Sequence, residues 1–162
     1  MEEQTRKIIE KLDTLGITYE LHTHEPVEKA LDRYEMGLDF GACVCKNLFL
    51  TVRNQSRFYV MMLVAEKNAD LRHIARAIGS SRLCFASDEK LLELMGQHTG
   101  MVSPLGVISD KGRVVTVLFD SDLRGKRICV HPSDNRKTLV MDFSDLERYV
   151  RALGSQVIFI EV

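Results

Sequence analysis

Hydrophobic and polar positions divide this chain into segments of period near 3.6 and segments of period two. Ile8, Ile9, Leu12 and Leu15 recur at helical spacing and Gly16 closes the run, which predicts a helix over residues 4–15. "ITYEL" alternates as a strand. Pro26, placed as a first helical residue, predicts a second helix that ends near Gly37. "NLFLTV" is apolar on both alternating faces, the pattern of a strand through the middle of a sheet. "FYVMMLVA" reads as its antiparallel neighbour across the polar turn "RNQSR".

Further on, Leu71, Ile74, Ala75 and Ile78 mark a helix that stops at Gly79. "RLCFA" is a short strand, and Ser87 caps the helix "DEKLLELMG". Val107 and Ile108 are expected to begin a strand that turns at "DKGR" and returns as "VVTVLF". "RICVH" and "TLVMDF" are two more strands, and "DLERYVRALG", capped by Ser144, is a helix before a final strand "QVIFIEV". About eight strands and five helices emerge, with helices inserted singly and no regular βαβ alternation. The expected fold is α+β: one domain over residues 1–162, a curved, mostly antiparallel or mixed, barrel-like sheet flanked by helices.

Composition keeps that picture. At 162 residues, 45% hydrophobic and 28% charged, the chain can build a real core. No apolar run reaches the ~20 residues of a membrane span. The charged start "MEEQTRKIIEKLD" is not a signal peptide, and four irregularly spaced cysteines suit reduced thiols, so a cytoplasmic location is expected. The net charge of −1 hides a basic stretch at 124–137, where five bases meet one acid. That is too little to coat nucleic acid but enough to meet phosphates at one edge.

Chemistry enters through one misfit. Lys46 opens the buried strand "CKNLFLTV", on the same face as Leu48, Leu50 and Val52. Either its amine snorkels to water, or it stands in a cavity mouth and holds an anionic group. Asn47 is expected to point its side chain the other way while its backbone N–H serves the same site. Cys43 and Cys45, with Cys129 and His131, admit three readings: a Cys₃His zinc site, a Cys45 nucleophile with His131 as base, or small buried hydrophobes. In "TGMVSPLG", Gly100 and Gly106 bracket Pro104, a loop able to present N–H donors to a carbonyl oxygen.

Together "CKNLFL", "RLCFAS", "GMVSPLGV", "VTVLFD" and "VHPSDNRKT" resemble, in order and spacing, the YbaK-like aminoacyl-tRNA editing domains, and most closely their free-standing prolyl-tRNA editing branch. The similarity runs from about Thr5 to the C-terminus. It implies a curved mixed sheet and a trans-editing deacylase. That enzyme would cut the ester between a wrongly attached amino acid, most often alanine, and the 3′ ribose of tRNA(Pro). Cysteinyl-tRNA(Pro) as substrate, or an inactive sensing module, are the alternatives. Lys46 matches the family's essential lysine, Gly100, Met101, Val102, Ser103 and Pro104 its G-x-x-x-P loop, His131 its "HP" histidine and Asn135 the asparagine after it.

The resemblance implies neither metal nor organic cofactor, and a prolyl-tRNA synthetase as a candidate partner. Lys46 and His131 would be the catalytic pair. Asn47, the loop through Gly106, and Asn135 would bind substrate, with Met101, Val102, Leu48 and Phe49 as walls. The stretch 124–137 would touch the acceptor stem. Two segments depart from the family's pattern: Cys43 with Cys45, and residues 28–41.

Overall fold

The computed structural model describes residues 2–162. Along the chain run α1 (Glu2–Thr14), β1 (Glu20–Thr23), α2 (Asp32–Glu35), β2 (Cys43–Val52), β3 (Phe58–Val64), α3 (Leu71–Ala77), β4 (Leu83–Phe85), α4 (Asp88–Met95), a 3-10 turn (Pro104–Ser109), β5 (Val115–Asp120), β6 (Arg127–Val130), β7 (Lys137–Asp142), α5 (Phe143–Ala152) and β8 (Val157–Ile160).

β2 is the axis. Cys45 and Phe49 enter one apolar cluster, and Leu50 and Val52 enter another. A strand buried on both sides loses polar alternation, which explains its continuous apolar sequence. The first cluster is roofed by α1, α4, α5 and the 3-10 turn through Ile8, Leu12, Met95, Leu105, Leu146 and Tyr149. The second lies under α3, where Ile74 and Ala75 meet Leu50, Met61 and Leu118. Each such apolar side chain contributes roughly 1.5–3 kcal/mol by leaving water.

The strands follow the order β1-β7-β6-β2-β3-β5-β8, with β4 added to β2. Four ladders are antiparallel and three are parallel: β2 with β6, β3 with β5, and β5 with β8. The sheet is therefore mixed, with antiparallel pairing in the majority. It is also open, since among the described residues β1 and β8 end the path and do not pair with each other. The expected barrel-like closure is absent.

Four local expectations shift. Val107 and Ile108 form no strand; residues 104–109 wind as a 3-10 turn with Ser103 Oγ accepting from Leu105 N. Asp110 replaces the hairpin at "DKGR", its carboxylate accepting from Val114 N and Val115 N at 3.1 and 2.8 Å. The segment after Pro26 is helical only at Asp32–Glu35. The first strand starts at Glu20, three residues later than its sequence pattern, because Ile17 turns into the core instead.

Candidate active site

A fork in the sheet makes the site. One edge of β2 pairs with β3 over Cys45–Thr51. Its other edge pairs with β6 over Cys43–Val44 and with β4 over Leu50–Val52, leaving residues 45–49 without a strand partner there. Phe49 O accepts from Ala86 N on that edge at 3.0 Å. Strand alternation therefore turns the N–H and C=O of Asn47, two residues earlier, toward the same gap.

A cavity of about 140 Å³ opens at this fork. Cys45, Lys46 and Asn47 of β2 form one wall, Gly100 and Val102 of the loop after α4 another, and His131 beyond β6 a third. Val27–Ala30 and Arg33 close it from the segment entering α2. The volume lies well below the roughly 300–1,000 Å³ of drug-sized sites, so it suits a small group.

Each wall is fixed by a specific bond. Thr5 Oγ1 on α1 donates to Pro132 O at 2.7 Å, which holds the turn carrying His131. Gln97 joins two loops: its Nε2 donates to Ser133 Oγ at 2.8 Å and its Oε1 accepts from Ser103 N at 3.1 Å. All three side chains are fully buried. The segment before α2 is tied down by Val27 N donating to Asn135 O and His24 N donating to Arg136 O. Arg33 Nη1 donates to Thr138 Oγ1 at 2.6 Å, and that hydroxyl also meets His24 Nε2 at 2.7 Å.

Electrostatics sort the candidates. Burial, then the neighbouring Arg33 charge, pushes the His131 imidazole down to about 4, so it is neutral at physiological pH. Its Nδ1 and the Oδ1 of Asn47 are buried with no partner. Such orphan groups are uncommon in folded proteins and cost about 1–3 kcal/mol each when left unsatisfied. Lys46 is half-buried and makes no ion pair among the described residues. Cys45 is held well above the ordinary thiol range by its hydrogen bond with Cys43 and by burial, while that same bond draws Cys43 down to about 7. Burial pushes Cys129 up to about 11. A protonated Cys45 beside a neutral imidazole gives no support to a thiolate nucleophile.

The cavity thus gathers Lys46, Asn47, Gly100, Val102 and His131. Met101, Ser103, Pro104, Gly106 and Asn135 do not line it. Ser103, Pro104 and Gly106 are buried in the scaffold behind the loop, and Asn135 acts through its backbone carbonyl. Asn47 lines the cavity on the strand face opposite Lys46, with its Oδ1 buried. Among the described residues no three His, Cys, Asp or Glu side chains gather as a metal site. Arg33 and Gln97 were not marked by any periodicity or motif, and Thr138 only as the last residue of "VHPSDNRKT"; their burial in the folded chain singles them out.

Comparison with known proteins follows this geometry. The family model described as an aminoacyl-tRNA editing domain matches residues 24–149. The prolyl-tRNA editing protein ProX of Acetoanaerobium sticklandii is 35% identical over 156 residues, covering 96% of this chain and 95% of that protein. The prolyl-tRNA synthetase associated domain-containing protein 1 of Mus musculus is 24% identical, covering 93% and 92%. A crystal structure provisionally assigned as a trans-editing enzyme for prolyl tRNA synthetase superposes with a TM-score of 0.71 at 20% identity, over 98% of this chain and 97% of that one, which shows the shared fold. A matched family model over most of the chain, and a full-length relative above 30% identity, establish that this chain belongs to the aminoacyl-tRNA editing domains, hydrolases of the ester that joins an amino acid to tRNA.

Proposed function

We propose that this protein edits in trans: it hydrolyses mischarged tRNA(Pro), with alanine as the amino acid it removes. The observation that carries the reading is the small cavity at the fork of β2, with a cation and free backbone donors around it. The full-length likeness to a prolyl-tRNA editing protein supports the choice of tRNA.

The 3′ end enters beside Lys46, whose ammonium holds the terminal phosphate or ribose. A cation in a partly dry site acts through a lower dielectric than bulk water. The backbone N–H groups of Asn47, Gly100 and Val102 face the ester carbonyl, and each such donor is typically worth ~3–4 kcal/mol to a developing oxyanion. His131, neutral, orients the ribose or carbonyl by hydrogen bonding. Water adds to the carbonyl carbon, the bond to the ribose oxygen breaks, and that oxygen leaves with a proton. The neighbouring ribose hydroxyl relays it, since no side chain at the cavity is poised as a general base.

Selectivity rests on size. The small cavity, about 140 Å³, is taken to accept a methyl side chain more readily than the bulkier proline ring. Steric exclusion separates the two by more than the ~1–3 kcal/mol that a missing contact supplies. The test is a panel of alanyl-, cysteinyl-, seryl- and prolyl-tRNA(Pro), followed by release of the labelled amino acid. Alanine is expected to leave fastest and proline slowest. Faster release of cysteine would move the substrate assignment, and rapid release of proline would overturn size exclusion.

A further inference from the structure

Arg33 is the only lysine or arginine buried among the described residues, at 4% exposure, and it lines the cavity. Buried charges are normally paired. This one has no carboxylate partner: Nη1 donates to Thr138 Oγ1 and, at 3.4 Å, to Leu38 O, both uncharged. Among the described residues Nε and Nη2 meet no acceptor, and neither is sealed off in the interior. The two thiols closest in its field, Cys129 and Cys45, keep their protons. The nearby His131 is neutral. Of the other charged groups lining the cavity, Lys29 and Lys46 are cations, and Glu28 is exposed at the mouth without an ion pair to Arg33.

The guanidinium is also held in place. Thr138 Oγ1 takes its hydrogen bond at 2.6 Å and lies 2.7 Å from His24 Nε2, while His24 Nδ1 is 2.7 Å from Glu25 O. With Nδ1–H donating to Glu25 O and Nε2 accepting from the Thr138 hydroxyl, the chain of bonds is complete and fixes one edge of the fork. The other edge is left for something the fold does not supply.

We propose that Arg33 is a second anion-holding residue of this site, whose free guanidinium edge takes a negatively charged oxygen carried in by the substrate. Two substrate oxygens share that chemistry: a terminal phosphate oxygen and the oxyanion that forms on the ester carbonyl. The proposal rests on the deacylase reading for the identity of the substrate, but not for the anion site itself.

The experiment has an arm for each. Inorganic phosphate and adenosine 5′-monophosphate are titrated into the wild-type protein while the Arg33 Nε–H resonance is followed by NMR. A saturable shift, together with loss of calorimetrically measured phosphate binding in Arg33→Gln, supports the site whatever the protein hydrolyses; no shift overturns it, even if deacylation is confirmed. Single-turnover hydrolysis of alanyl-tRNA(Pro) and the affinity for uncharged tRNA are then compared. A fall in rate of about 10²-fold with unchanged tRNA affinity identifies the oxyanion. A matching loss of tRNA affinity identifies the phosphate. Arg33→Lys, which keeps the charge and loses the fork, is expected to recover part of the defect. Full activity and affinity in Arg33→Gln would overturn the inference.

Discussion

His131 shows what a single side chain can report. Its imidazole titrates at 6.5 in an open chain and at about 4 in the fold, chiefly because burial disfavours the cation. Below pH 6.5 the unfolded chain therefore takes up a proton that the folded protein refuses. Stability is full above that pH and declines as pH falls toward 4, by about 3 kcal/mol in total. Urea unfolding across this window is expected to show the decline in wild type and its loss in His131→Gln. The deacylation rate should meanwhile show no inflection near pH 6.5, because the imidazole is already neutral there. That Lys46 and His131 stand at the cavity could be suspected from the sequence because each interrupts an apolar strand end. Arg33 could not be, since an arginine after Pro26 looks like any charge on a surface helix, and only the short α2 turns it inward.

At the scale of elements, the loop bearing Gly100 and the turn bearing His131 behave as one piece because Gln97 links them. The glycine at 106 serves this link. A Cβ added there would lie 2.5 Å from Nε2 of the fully buried Gln97 side chain, so the carboxamide that links the two loops would have to shift. Gly106→Ala is expected to destabilise the fold by about 1–3 kcal/mol by overpacking. On a Gln97→Ala background the same substitution should cost less, and a double-mutant cycle in denaturant measures the coupling. Equal costs in both backgrounds would separate Gly106 from Gln97. The sequence pointed to Gly106 as a residue approached by substrate; in the fold the close neighbour is a side chain of the protein's own. Strand identities were readable wherever burial was one- or two-sided. Parallel pairing of β3, β5 and β8 was not, because β3 reaches β5 through α3, β4, α4 and the 3-10 turn, and β5 reaches β8 through β6, β7 and α5, rather than through a single crossover helix.

Across the whole molecule, free positive charge is not confined to the basic stretch, where Lys126 alone has neither an ion pair nor an aromatic partner among the described residues. In 124–137, Arg127 pairs with Glu20 and Asp142, Arg136 and Lys137 pair with Asp134, and Arg124 sits 3.8 Å over the ring of Phe159. Arg72, Arg76 and Arg82 instead line a groove of about 720 Å³ between α3 and β4, and none forms an ion pair among the described residues. α3 packs on the face of β2 shared by Leu48 and Leu50, the face to which alternation assigns Lys46. A tRNA that reaches the cavity is expected to lean on this groove. Replacing the three arginines by alanine should weaken tRNA binding and lower its salt slope by about 2 to 3. An unchanged slope, with loss on replacing Arg127 and Arg136, would return the contact to 124–137.

The most direct measurement compares wild type with Lys46→Ala in single-turnover hydrolysis of alanyl-tRNA(Pro), with circular dichroism and thermal melting confirming the fold of both. Release of alanine by the wild type and its loss by at least about 10²-fold in a well-folded Lys46→Ala is the predicted result. A Lys46→Ala protein that releases alanine as fast as wild type would contradict the account.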